Sequence, residues 1–136
     1  MPEGAETLLA FDFGTRQIGV ALGNTITGAA RPLTLIASEP LRQRFARIEA
    51  LLKEWQPDRL VVGLPLAADG GEQEITRRSR RFANQLHGRF RLPVELQDER
   101  GSSIEAQQSM PRNGADDAWA AAVILQRYLD HTSGHT

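Results

Sequence analysis

The sequence predicts an α/β fold: a mixed five-stranded sheet in the chain order β-β-β-α-β-α-β-α-α, with helices on both faces. Three observations predict it. Three short apolar runs separated by turn residues occupy the first 37 positions, the pattern of an antiparallel meander. From residue 38 onward, segments with helical periodicity alternate with strand-like ones. One of these, RLVVGLP (59–65), is almost wholly apolar, as a central parallel strand covered on both faces must be.

Taken in order, residues 7–13 read as a buried strand, 17–23 (QIGVALG) as its hairpin partner and 30–37 (ARPLTLIA) as a third strand. Ser38 is expected to open a helix in which Leu41, Phe45, Ile48, Leu52 and Trp55 form one apolar stripe, ended by Pro57. After the strand at 59–65, a second helix is expected from about Glu72 to Gly88. Ile75, Phe82 and Leu86 face inward, and Gly88 is the residue just past its end. LPVELQDER (92–100) is the last strand. Ser102 and Glu105 have capping-box spacing and predict a short helix, which Pro111 to Gly114 break. A final helix runs from Asp116 or Asp117 to about Asp130. This is the chain order of the ribonuclease H-like fold.

At 136 residues the chain is expected to form a single domain spanning 1–136, with residues 131–136 as a frayed tail. Cysteine is absent, which excludes disulfides, thiolate catalysis and Cys-type zinc sites and fits a cytoplasmic protein. The stretch MPEGAETLL lacks the basic-then-apolar order of a secretory signal, and no apolar run is long enough to span a bilayer, so no membrane role is expected. Net charge is −1, but fifteen of the sixteen basic residues are Arg, and six of them fall in residues 75–94, a stretch without an acid. Arginine suits bidentate contact with phosphate.

The candidate chemistry starts at Asp12. In an extended strand Leu8, Ala10 and Asp12 share one face, and Leu9, Phe11 and Phe13 the other. A carboxylate buried there without a partner costs several kcal/mol, so it requires donors, a cation or a position at the sheet's end. Asp98, Glu99 and Arg100 lie at the carboxyl end of the last strand, the edge where open α/β sheets place their sites. Adjacent strand residues point opposite ways, so one acid of that pair should face the Asp12 side, and the longer reach favours Glu99. Asp116 and Asp117 precede AWAAAVILQRYL, a helix of small and apolar residues suited to close packing on the sheet. Three carboxylates without a Ser–His pairing suggest an oxygen-ligand site for Mg²⁺ or Mn²⁺, as a pair of ions ~4 Å apart. His131 and His135 fall in the tail and His87 near a helix end, so none competes for the site. For substrate, Arg77, Arg78, Arg80 and Arg81 are expected to contact backbone phosphates, helped by the loop LPLAADGGEQ that enters their helix.

The segments FDFGTRQIGVALG, VVGLPLAADG, LPVELQDER and DDAWAAAVILQRYL resemble, in order and across nearly the whole chain, the four signature blocks of the YqgF/RuvX family. These are RuvC-like proteins with a ribonuclease H-like fold. The resemblance implies a metal-dependent nuclease acting in 5′-end maturation of precursor 16S rRNA, with structured RNA as partner. It places the family's first acid on Asp12, with Gly14, Arg16 and Gly19 following, its D-E-R on Asp98, Glu99 and Arg100, and its last acid on Asp117, leaving Asp116 as a cap. It thus implies Asp12, Glu99 and Asp117 as metal ligands, Asp98 as a further catalytic acid, and Arg16 and Arg100 among the substrate contacts. The chain departs from the family pattern at Gly101-Ser102-Ser103, where Leu-Thr-Thr is usual, and in the short segment QQSMPRNGA.

Other functions fit parts of the sequence. A Holliday junction or branched-DNA resolvase would share the cleavage chemistry. A catalytically weak RNA-binding ribosome-assembly factor would keep the fold. DFGT is also similar to the phosphate hairpin of actin-like ATPases and sugar kinases, but those clamp a nucleotide between two such domains.

Overall fold

Leu8, Leu9, Ala10 and Phe11 are all completely buried, a burial that four consecutive strand residues reach only in mid-sheet with both faces covered. They form the centre of strand β1 (Thr7–Asp12). The computed structural model describes residues 5–99 and 116–132, except the side chains of Asp116 and Asp117. The elements that follow are β2 (Gln17–Asn24), β3 (Ala30–Ala37), α1 (Leu41–Trp55), β4 (Arg59–Leu64), α2 (Glu74–Phe90), β5 (Val94–Asp98) and α3 (Asp116–Thr132). The strand order is β3-β2-β1-β4-β5. β1 pairs antiparallel with β2 and parallel with β4, which pairs parallel with β5. This is the predicted mixed five-stranded sheet. Among the described residues no helix is long and apolar enough to cross a membrane. The predicted short helix from Ser102, Arg100 and the Gly101-Ser102-Ser103 departure lie outside the described residues.

Strand alternation sorts the core into two layers. Leu9, Phe11, Phe13, Val20 and Val62 pack against α1 and α2. Leu8, Ala10, Ala21 and Val61 pack against Ala121, Ile124, Leu125 and Leu129 of α3. Small residues on both sides of that second layer bring α3 close to the sheet. In the first layer Phe82 is the hub, with its ring 5.8 Å from Phe11, 5.1 Å from Phe13 and 6.4 Å from Phe45.

Several expected boundaries move, each for a local reason. Ser38 does not open α1. It is buried, and its hydroxyl donates to the Gly14 carbonyl at 2.6 Å, tying the end of β3 to the β1–β2 turn. Pro40 disfavours helix at the residue before it, so α1 starts at Leu41. Leu41 is 51% exposed rather than part of the inner stripe, and Arg44, at 6%, is buried in its stead. Gly88 does not end α2. The helix continues to Phe90, whose ring lies 6.5 Å from Phe45, and the left-handed residue is Arg91 (φ 59°). β5 is shorter than expected and begins after Pro93, while α3 runs two residues past Asp130, to Thr132.

Because Phe82 joins rings from β1, its exit and α1, Phe82→Ala is expected to cost about 3–5 kcal/mol of stability. Urea denaturation measures it, and a loss under about 1 kcal/mol would show that the ring cluster does not carry this layer.

Candidate active site

The site is assembled at the carboxyl end of β1, β4 and β5. Asp12 ends β1 and shares the face of Leu8 and Ala10, the face that α3 covers. On the neighbouring strand the register brings Phe11 opposite Val62, which places Gly63 beside Asp12. β5 lies one strand further out, so a carboxylate from β5 must cross β4 to approach β1.

Glu99 does so. Its backbone N–H donates to the Leu64 carbonyl at 3.2 Å, extending the parallel ladder one residue past Asp98. Its side chain then lies over Gly63, where an added Cβ would collide with Glu99 Oε2 and with Ile124 Cδ1 of α3. A glycine inside a strand marks a close approach of this kind. Here the missing side chain is the opening through which Glu99 crosses β4. By alternation Asp98 lies on the opposite face from Glu99, and its carbonyl accepts from Arg127 Nη1 of α3 at 3.4 Å.

Among the described residues two buried side-chain oxygens have no hydrogen-bond partner, and one is Glu99 Oε2. Burial first, and then the Asp12 and Asp98 charges, push the Glu99 carboxyl up to about 8, with the Arg127 charge opposing them. A carboxyl in this condition either keeps its proton or takes a cation. Hard oxygen donors that crowd one another, one of them with an unused buried lone pair, fit a hard divalent cation. Among the described residues no group of three or more His, Asp or Glu forms a metal cage. The remaining sequence-derived acid, Asp117, is in the first turn of α3, seven residues before Ile124, and its side chain lies outside the described residues.

The basic residues divide. Arg77 pairs with Glu74 at 2.9 Å and Arg80 with Glu72 at 2.6 Å, both on the exposed side of α2. Arg78 and Arg81 instead line a cavity facing Phe13. The expectation that all four contact backbone phosphates alike does not distinguish the two pairs. Arg16 is exposed in the β1–β2 turn. Sequence reasoning missed three residues near the site: Gly63, Arg127 and Arg44. Gly63 had a visible signal, as a glycine within an otherwise branched apolar strand, whereas Arg127 and Arg44 had none in their spacing.

The raised carboxyl sets a direction for pH. In the unfolded chain Glu99 ionises near 4.5, and in the fold it holds its proton to about 8. Its contribution to stability is therefore full below about 4.5 and is lost as pH rises through about 8. In divalent-free buffer, the melting temperature of the parent chain should fall over that window relative to Glu99→Gln. Gly63→Ala, which expels the carboxylate from its place over β4, should also flatten the profile. Parallel profiles for all three chains would show that Glu99 is not held there.

The RuvX family model, described as Holliday junction resolvase, matches residues 6–131. A Bordetella parapertussis protein named "Putative pre-16S rRNA nuclease" is 68% identical over 130 residues, covering 96% of this chain and 96% of that protein. A Yersinia enterocolitica protein of the same name is 48% identical, covering 94% of this chain and 97% of its own length. Among solved structures, T. thermophilus RuvC in complex with a Holliday junction substrate aligns with a TM-score of 0.62 at 15% identity, over 94% of this chain and 96% of that one. Fowlpox virus resolvase, solved with Holliday junction DNA, aligns at 0.61 and 11% identity, over 92% and 97%. These two likenesses establish a shared ribonuclease H-like fold. With a match over residues 6–131 and full-length relatives of this similarity, the chain belongs to the RuvX family.

Proposed function

We propose that this protein is a metal-dependent nuclease that hydrolyses phosphodiester bonds in precursor 16S rRNA, working in the cytoplasm as a single domain. The carrying observation is the Glu99 carboxylate, buried over Gly63 beside Asp12 with one oxygen unpartnered. The names of the relatives supply the substrate. Asp12, Glu99 and Asp117 would hold Mg²⁺ or Mn²⁺, as a pair of ions, and Asp98, on the opposite face of β5, would act on them through its charge alone. Bound there, such ions lower the pKa of water and stabilise a leaving oxygen.

The chain's own residues do the remaining work. Gly63 admits Glu99, and the ladder bond from Glu99 to Leu64 fixes where that side chain starts. Ile124 closes the space above Gly63 and limits water around the carboxylate. Arg127 offsets part of the acidic charge without pairing the crowded oxygen. Arg16, Arg100 and the arginines of α2 supply cationic contacts for the nucleic acid backbone.

Purified protein should cut a precursor 16S rRNA fragment with Mg²⁺ or Mn²⁺ and not with EDTA. Asp12→Asn should retain under about 1% of the rate, since it removes one ligand charge from the site, while its melting temperature stays equal or rises as repulsion is relieved. Cleavage in EDTA, or full activity of Asp12→Asn, would overturn the metal-carboxylate reading. The family's resolvase description favours a second substrate, branched DNA. A four-way DNA junction run in parallel separates the two, since faster cutting of the junction would replace the rRNA assignment.

A further inference from the structure

On the other face of the sheet from Glu99, a cavity of about 200 Å³ opens between the exit of β1, α1 and α2. Its lining includes Phe13, Glu39, Leu41, Arg44, Arg78 and Arg81. Phe13 directly follows Asp12, so the cavity begins at the sheet edge where the candidate active site ends. We propose that it is a phosphate-binding subsite in which Arg44, Arg78 and Arg81 seat a neighbouring phosphodiester of the nucleic acid strand whose scissile bond lies at Asp12. The inference rests on the nucleic-acid reading above and adds a place and a set of residues to it.

Arg44 makes the case. It is 6% exposed, deep for an arginine. Its Nε donates to the Ser38 carbonyl at 2.9 Å, and its guanidinium carbon lies 5.2 Å from the Phe13 ring, 5.6 Å from Phe45 and 5.7 Å from Phe82. Among the described residues no acid lies within ion-pair distance of it. Glu39 attracts it from further away, while the nearby Arg78 charge repels it. Arg78 itself stacks on the far end of the same wall, 5.9 Å from the Phe13 ring. A purely structural arginine in this protein looks different: Arg59 is held by Glu6 at 3.0 Å and Glu95 at 2.9 Å.

On α2 the same contrast runs along one helix. Arg77 and Arg80 are neutralised by Glu74 and Glu72, whereas Arg78 and Arg81, with no ion-pair partner among the described residues, face the cavity. Three arginines against the single acid Glu39 leave the cavity with an excess of two positive charges. Aromatic faces hold Arg44 and Arg78 in place and leave guanidinium N–H groups for a tetrahedral anion, the geometry arginine forks match best. A backbone phosphate supplies that anion and is indifferent to base sequence.

The test uses the full chain carrying Asp12→Asn, so that RNA is bound but not cut, with a fluorescein-labelled precursor 16S rRNA hairpin read by anisotropy. Arg78→Gln and Arg81→Gln should each weaken binding about 5- to 10-fold at 0.1 M salt and reduce the slope of log K against log salt by about one. Lys53→Gln, an equal charge change at the far end of α1, should alter affinity less than about twofold. Arg44→Gln sits in the core, so the two α2 variants carry the test. Equal affinity and slope in Arg78→Gln, Arg81→Gln and Lys53→Gln overturn the subsite even if the parent chain cleaves RNA. A selective loss in the two α2 variants supports the subsite even if the parent chain proves inactive, an outcome that removes the nuclease reading alone. Inorganic phosphate that raises the melting temperature only when both arginines are present, with RNA affinity unchanged, reassigns the cavity to free phosphate and overturns the proposal.

Discussion

A carboxylate from an outer strand crosses its inner neighbour to lie beside another carboxylate, and much of the architecture at the carboxyl edge follows from that crossing. The strand between them cannot carry a side chain at the crossing point, and Gly63 is there. The crossing carboxylate needs a fixed start, and the Glu99–Leu64 ladder bond provides it beyond the last residue of β5. The space must be roofed, and Ile124 of α3 roofs it. α3 approaches closely enough because Ala121 and Ala122 meet Ala10 and Ala21 across the layer. The small residues of that layer are thus linked to the acids by a packing requirement.

The two faces of the sheet have different physical characters. The α3 face ends in crowded negative charge, with Glu99 protonated or in need of a cation. The α1 and α2 face ends in aromatic rings and unneutralised positive charge around Phe13 and Arg44. Asp12 and Phe13, adjacent in the chain, point to opposite sides by strand alternation and so belong to one character each. A polyanion laid across this edge would meet crowded carboxylates on one side and fixed guanidinium groups on the other. Arg59, fully paired at the opposite end of the sheet, has no such role.

Much of the fold was legible because local signals agreed. The alternation of 7–13, the near-continuous apolar run of 59–65 and the helical stripes each named their element, and the sheet followed from their order. Legibility failed at helix ends and at charged residues. The α1 stripe holds at Phe45, Ile48, Leu52 and Trp55 and fails only at its first turn, where Arg44 is buried and Leu41 is not, since periodicity ranks residues by polarity and an Arg held by three rings reads as solvent-facing. Gly88 looked like a terminus because glycine usually is one, and the Phe90–Phe45 contact outweighed that preference. Asp12 stood out as a carboxylate in a core strand, yet its neighbour Gly63, fifty-one positions on, was read only as part of an apolar strand.

The sequence by itself determined the class of fold, the strand that carries Asp12, the strand end that carries Asp98 and Glu99, and the family, because these depend on local pattern and on blocks in order. The tertiary structure alone decided that Glu99 rather than Asp98 lies over Gly63, and that Arg78 and Arg81 turn toward Arg44 while Arg77 and Arg80 turn toward acids. These choices depend on which strand stands between two others and on which ring or carboxylate a long side chain meets, and such contacts join residues dozens of positions apart. No periodicity within a single segment encodes them.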